Sequence, residues 1–323
     1  MSARVDTISA WPYRFAVATV LAAIPLLLFG GTITTLDAGM AIDGWWVLEP
    51  GRGDHFLLFY PVEKWFRDAG TFSEHTHRLF GVLVGNLAIA TVIATWITRK
   101  DRRARVVAFT GLAFVCIQGA LGGSRVLEAS PQLAFLHGAL AQVVFAVLAA
   151  CAVHLAPSYQ AAKQDTSVEA ERLAARARLT TVATYIAIFS GCWLRHSFSH
   201  AALGVHLLLI AGAAVLVFSL AAKLKAAGLA DPAKRKLRTV ALQLHIVLGV
   251  QLLIGVATFW VIVMVAGSGT PDVYDSFYPT LHVLFGSLVL ARLATGAMWC
   301  RRSLTDETEA APATADASLE GAA

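Results

Sequence analysis

The chain has 323 residues, of which 57% are hydrophobic and only 15% charged, with a mean hydropathy of +0.64. A soluble domain carries about a quarter charged residues, so composition excludes one. The net charge of +5 marks no nucleic-acid partner, because the basic residues gather between apolar runs. Cys116, Cys151, Cys192 and Cys300 lie in or at the ends of such runs, none paired at metal-site spacing, which leaves neither a zinc site nor a disulfide framework.

In chain order, eight runs reach the roughly 20 residues that span a bilayer: 15–34, 77–98, 106–123, 133–155, 179–194, 201–222, 240–266 and 277–299. The fifth is short and holds Thr180, Thr181 and Thr184. Nineteen of the 26 Lys and Arg residues fall on one side of the resulting topology, including Arg99–Arg105, Lys223–Arg238, Arg301 and Arg302. The positive-inside rule then places both termini of this multi-pass membrane protein in the cytoplasm. The first run closes on "FGGTITTLDAGMAIDGWWVLEP", and the outer loop that follows, 35–73, contains "FLLFYPVEKWF" (56–66). That segment reads either as an interfacial stretch or as an ordinary folded loop.

The stretch "FSEHTHRLFGVLV" (72–84) sets Glu74, His75, His77 and Arg78 at the mouth of the second run. Ionisable groups there are costly enough to mark a functional site. Glu74 and His77, three apart, share a helix face.

Short matches recur in order along the two halves. "HRLFGV" (77–82) answers to "HAALGV" (200–205), and "QGALGG" (118–123) to "QLLIG" (251–255), with Gln118 and Gln251 each four residues before a glycine. "AFLHGAL" (134–140) answers to "PTLHVLFG" (279–286), and "LFGG" in the first run to "FSGC" in the fifth. The expected fold is an all-α membrane protein of eight transmembrane helices, two tandem four-helix bundles related by pseudo-two-fold symmetry. The expected divisions are a cytoplasmic N-terminus (1–14), an N-terminal half (15–155), a cytoplasmic linker (156–178), a C-terminal half (179–300) and a disordered acidic, Ala-rich tail (301–323).

Each half offers one histidine on its second helix and one on its fourth: His77 and His137, then His200 and His282. Imidazoles from separate helices on either side of a planar group are the ligand set of a six-coordinate haem. His206 is the alternative to His200, and His245 reads as a core or supporting residue beside the site. His55, His75, His154 and His196 read as structural.

On these residues the chain resembles the haem A synthase family, eight-helix membrane enzymes that complete haem A for cytochrome oxidases. The carriers are "GGTITTLDAGMAIDGWW", Glu74-x-x-His77-Arg78, "QGALGG" with His137, "QLLIG", and "LHVLFG" with His282. The resemblance implies that His77 and His137 flank the substrate haem O, with Glu74 as the catalytic carboxylate beside it. It implies that His200 and His282 hold a haem b cofactor. Arg78, His206, His245, Gln118 and Gln251 read, from the sequence itself, as candidates to support the ligands. The implied reaction oxidises a haem methyl through a gem-diol to a formyl group, with a haem O synthase and an electron donor as partners. Three features depart from the family pattern: Thr34 stands where an Arg is usual, Ala201 follows His200 where a second His-Arg is common, and the first outer loop lacks a Cys pair. The rival readings are a di-haem b-type electron-transfer protein, a non-catalytic haem-binding paralogue and a transporter with parallel repeats.

Overall fold

Helices build the molecule, as the apolar runs require. The computed structural model describes residues 8–197, 199–265 and 275–304; most of the expected tail lies outside them. Among the described residues eight helices exceed 22 residues: α1 (Trp11–Thr35), α2 (Ala69–Thr98), α3 (Arg102–Leu127), α4 (Pro131–Leu155), α5 (Val168–Ser197), α6 (His200–Ala230), α7 (Arg235–Val265) and α8 (Phe277–Trp299). Seven are long and apolar enough to cross a membrane; α5 is the exception. The chain is thus an all-α membrane protein.

Several helices outrun their apolar stretches. The sequence starts the second run at His77, but α2 begins at Ala69, capped by the Asp68 carboxylate, which accepts the Thr71 N–H at 2.8 Å. This puts Glu74 and His75 inside the helix. The linker expected over 156–178 ends early, because α5 starts at Val168. The Ser167 hydroxyl accepts the Ala170 N–H at 3.2 Å, and Glu169 and Glu171 occupy the positive end of the helix dipole. Those charges, with Thr180 and Thr181 bonded back to their own helix, lower its apolarity.

Residues 301–304 are ordered, contrary to the expected start of the tail. Arg302–Ser303 pairs antiparallel with Lys163–Gln164, and the Arg302 guanidinium donates to the Ala162 carbonyl at 2.8 Å. Helix α8 runs through the centre, packing against α7, α5, α4 and α1. Ser287 of α8 donates to the Gln142 side-chain carbonyl of α4 in a buried hydrogen bond. Gly31 of α1 lies so close to Thr280 of α8 that a Cβ there would sit 2.9 Å from its side chain.

The segment between α1 and α2 is a folded loop. Val47–Leu48 pairs with His55–Phe56, and Ile42, Leu48 and Tyr60 form a small core with Trp65 against it. The Trp65 indole donates to the Thr76 hydroxyl at 3.0 Å. Phe56, Phe59 and Phe66 of the same stretch remain exposed, so an inward face and an apolar outward face coexist.

Candidate functional site

Four helices begin at the same end of the bundle and each presents a histidine within its first turns. His77 is the ninth residue of α2, His137 the seventh of α4, His206 the seventh of α6 and His282 the sixth of α8. His77 faces His137 with ring centres 6.3 Å apart and planes at 76°, and His206 faces His282 at 6.5 Å and 86°. The sequence expectation named His200 as the partner of His282. The structure puts His200 at the first residue of α6, exposed, and brings His206 into the pair. The reason is depth: the facing histidine must lie nearly two turns into the helix, and His200 is its first residue.

Each imidazole rests on a glycine of the preceding helix. A Cβ at Gly30, Gly122, Gly191 or Gly255 would lie 3.0, 2.8, 2.8 or 3.0 Å from Cε1 of His77, His137, His206 or His282 respectively. Any side chain there would push the ring away. The residue four before each glycine addresses the same ring. His77 Nδ1 lies 2.9 Å from the Leu26 carbonyl, and His206 Nδ1 lies 3.1 Å from the Ala187 carbonyl and 3.0 Å from the Ser190 hydroxyl. A carbonyl partner requires Nδ1 to carry the proton, which leaves Nε2 as the free lone pair. In the other two sites the residue four back is a glutamine. Gln118 Nε2 donates to the His137 carbonyl at 2.9 Å and lies 3.1 Å from its Nδ1, and Gln251 Nε2 lies 3.4 Å from His282 Nε2. The Oε1 atoms of both glutamines, and His282 Nδ1, are buried without a hydrogen-bond partner.

This arrangement fits a haem in either pair. Metal–imidazole bonds of about 2 Å set the ring centres of two axial ligands roughly 6 Å apart. The observed spacings match, and the carbonyl partners of Nδ1 on His77 and His206 supply the orientation that axial histidines need. No group of three or more His, Cys, Asp or Glu that could hold a bare metal ion occurs among the described residues. Two-point axial ligation of a macrocycle therefore suits these pairs better than a metal bound by protein alone.

Glu74 and Arg78 do something other than flank a ring. The Glu74 carboxylate accepts from Arg78 at 2.6 Å and from the Ile42 backbone N–H at 2.9 Å. Arg78 also donates to the carbonyls of Gly44 (2.8 Å) and Ile42 (2.9 Å). Both side chains are nearly inaccessible, at 3% and 8%. They hold the α1–α2 loop over the first pair, helped by Arg125, which donates to the Gly39 carbonyl at 3.2 Å, and by Trp45, whose indole covers Gly123. The loop's own ion pair joins Lys64 to Glu49, which holds the Glu49 carboxyl below its usual range.

The remaining candidates stand apart from the pairs. His245 turns its Nδ1 to the Ala241 carbonyl of its own helix at 2.8 Å and packs on Phe218. His75 is wedged between Tyr60 and Trp65, ring centres 5.0 Å from each. Sequence reasoning passed over Arg195, counted there only as a charge. It crosses from α5 to donate to the Gly31 carbonyl and the Thr35 hydroxyl, both at 2.7 Å, close beside the second pair.

Fold and site together define an all-helical membrane protein with two facing histidine pairs at one end of its bundle. The model of the COX15-CtaA family, described as cytochrome oxidase assembly protein, matches residues 62–204. The chain is 30% identical over 191 residues to a protein named Heme A synthase from Symbiobacterium thermophilum, covering 56% of this chain and 58% of that one. It is 27% identical over 173 residues to a Heme A synthase from an Exiguobacterium species, covering 53% of each. The chain thus spans little more than half the length of these relatives. Together the matches support the haem A synthase family.

Proposed function

We propose that this chain is a haem A synthase-like oxidoreductase that converts haem O to haem A for cytochrome oxidase assembly. The observation that carries this reading is the recurrence of one device, an imidazole pair seated on two glycines, once in each half. His77 and His137 flank the substrate haem O, and His206 and His282 hold haem b. When bound, the haem supplies the iron that activates the methyl group, and oxidation continues to the formyl level. The protein's work is positional. Leu26 and Ala187 carbonyls, with Ser190, fix two ring tautomers, while Gln118 and Gln251 brace the other two rings. Arg125 and Arg195, one beside each pair, are the cations available to haem carboxylates. Glu74 serves as a positioning residue: through Arg78 and Ile42 it keeps the loop closed over the substrate pair, which excludes water.

We read α5 as an eighth span and the two halves as tandem repeats. The contact of Gly30 with His77 corresponds to that of Gly191 with His206, and the contact of Gly122 with His137 to that of Gly255 with His282, which supports this. The basic side is the cytoplasmic one, both termini included. Both pairs lie toward the same, outer, end, an arrangement unsuited to carrying electrons across the bilayer. The test is haem extraction from cells that express the chain with a haem O source. Haem A in those cells and not in cells with the source alone supports the reading. Haem b retained with no haem A formed refutes synthase activity.

A further inference from the structure

At the end of the bundle opposite the histidine pairs lies a cavity of about 660 Å³. Four guanidiniums, those of Arg103, Arg178, Arg301 and Arg302, stand around it. Two are already engaged: Arg301 pairs with Glu171 at 2.7 Å, and Arg302 lies 4.5 Å over the Tyr159 ring while donating to Ala162. The guanidiniums of Arg103 and Arg178 make no hydrogen bond or ion pair among the described residues. Asp101, the nearest carboxylate in sequence to Arg103, is committed to capping α3 through the N–H groups of Arg103 and Ala104. Deeper along α5 and α8 the wall turns apolar, at Val182, Ala294 and Ala297.

We propose that this cavity binds the head group of an anionic phospholipid. Planar guanidinium forks match phosphate oxygens in pairs, so the rim selects a phosphate-bearing anion. The apolar wall and the volume select the source: a free phosphate would leave most of the space and all of that wall unused, whereas a glycerol backbone and the first acyl carbons cover it. Basic pockets between membrane helices at the cytoplasmic face bind such head groups by this balance of charge and depth. The cavity lies between the two halves, bounded by α3, α4, the 156–167 connection, α5 and α8, so its ligand would brace their junction. The inference relies on membrane insertion and not on either haem.

The test uses the full chain, purified in neutral detergent and stripped of lipid, with helical circular dichroism and a single size-exclusion peak as the check on folding. Dioleoylphosphatidylglycerol, dioleoylphosphatidylcholine or inorganic phosphate is added, and bound lipid is read by native mass spectrometry beside the thermal unfolding midpoint. Phosphatidylglycerol should bind and raise the midpoint, with phosphatidylcholine and inorganic phosphate inert. Arg103→Gln and Arg178→Gln should each weaken it about fivefold, and the double variant roughly 25-fold. Lys223→Gln/Lys225→Gln, two exposed lysines on α6, should leave it unchanged. An equal loss in the lysine pair would mean diffuse surface charge and overturn the site. Protection by inorganic phosphate alone would overturn the lipid as its ligand.

Discussion

Gly191 is the seat of His206: a Cβ on that glycine would lie 2.8 Å from the imidazole Cε1, and the same ring sends Nδ1 to the Ala187 carbonyl one turn back. Seat and tether together fix where the ring can be, which is why His206 and not its neighbour at position 200 meets His282.

The first prediction separates these two histidines. His206→Ala should remove the low-spin haem of the C-terminal half, whereas His200→Ala, at an exposed position, should retain it within about 10%. The reduced-minus-oxidised spectrum of the purified variants decides. Loss in His200→Ala with retention in His206→Ala would reverse the assignment.

A second concerns the glycine seats. Gly122→Ala places a methyl 2.8 Å from His137 Cε1, while a methyl at Gly119, on the same helix, meets nothing within 4 Å. Packed cores resist an added methyl at a cost of about 1–3 kcal/mol. Gly122→Ala should therefore lower haem occupancy of the first pair by roughly tenfold or more, with Gly119→Ala as the silent control. Similar haem content in both would remove the seat from the argument.

The Glu74–Arg78 pair gives a third. Glu74→Gln can still accept from Ile42 but leaves Arg78 with an uncompensated charge, and breaking a buried pair costs about 3–5 kcal/mol. The loop over 36–68 should become sensitive to limited proteolysis, and haem A formation should fall while haem in the second pair persists. A carboxylate used only in chemistry would lose activity with the proteolysis pattern unchanged.

Acid should loosen the same region from its other end. The Thr71 N–H, with Arg67 and the Thr71 hydroxyl, holds the Asp68 carboxyl below its ordinary value. A depressed folded pKa stabilises the fold above the unfolded value of about 3.9, and that contribution disappears as pH falls through the lower folded value. Thermal unfolding should thus show an acid-side loss that Asp68→Asn, which keeps a good cap, flattens. An unchanged acid limb in Asp68→Asn would exclude the cap as its source.

Much of this was legible because burial in lipid leaves a coarse signature. Eight apolar runs anticipate eight long helices, and the four-residue spacing in "QGALGG" and "QLLIG", legible as a repeat, falls on the glycines that seat His137 and His282. His77, His137 and His282 could be picked out because each opens an apolar run. His206 was displaced by His200 because likeness of letters was matched, "HRLFGV" against "HAALGV", where depth along the helix decides. The first turns of α5 were hidden since their charged residues belong to no apolar run. The clamp of Glu74 and Arg78 on Ile42 and Gly44 joins positions more than 30 apart, and no local pattern records such a contact.

The two-residue ladder between Lys163–Gln164 and Arg302–Ser303 bears on biogenesis. Its first strand leaves the ribosome some 140 residues before its second, so it waits unpaired while the four helices α5 to α8 are made. Only the arrival of the last helix closes it. From then on the C-terminal half is a loop fastened at its own base, and a protease that cut the connection near 165–167 would nick the chain without releasing either half.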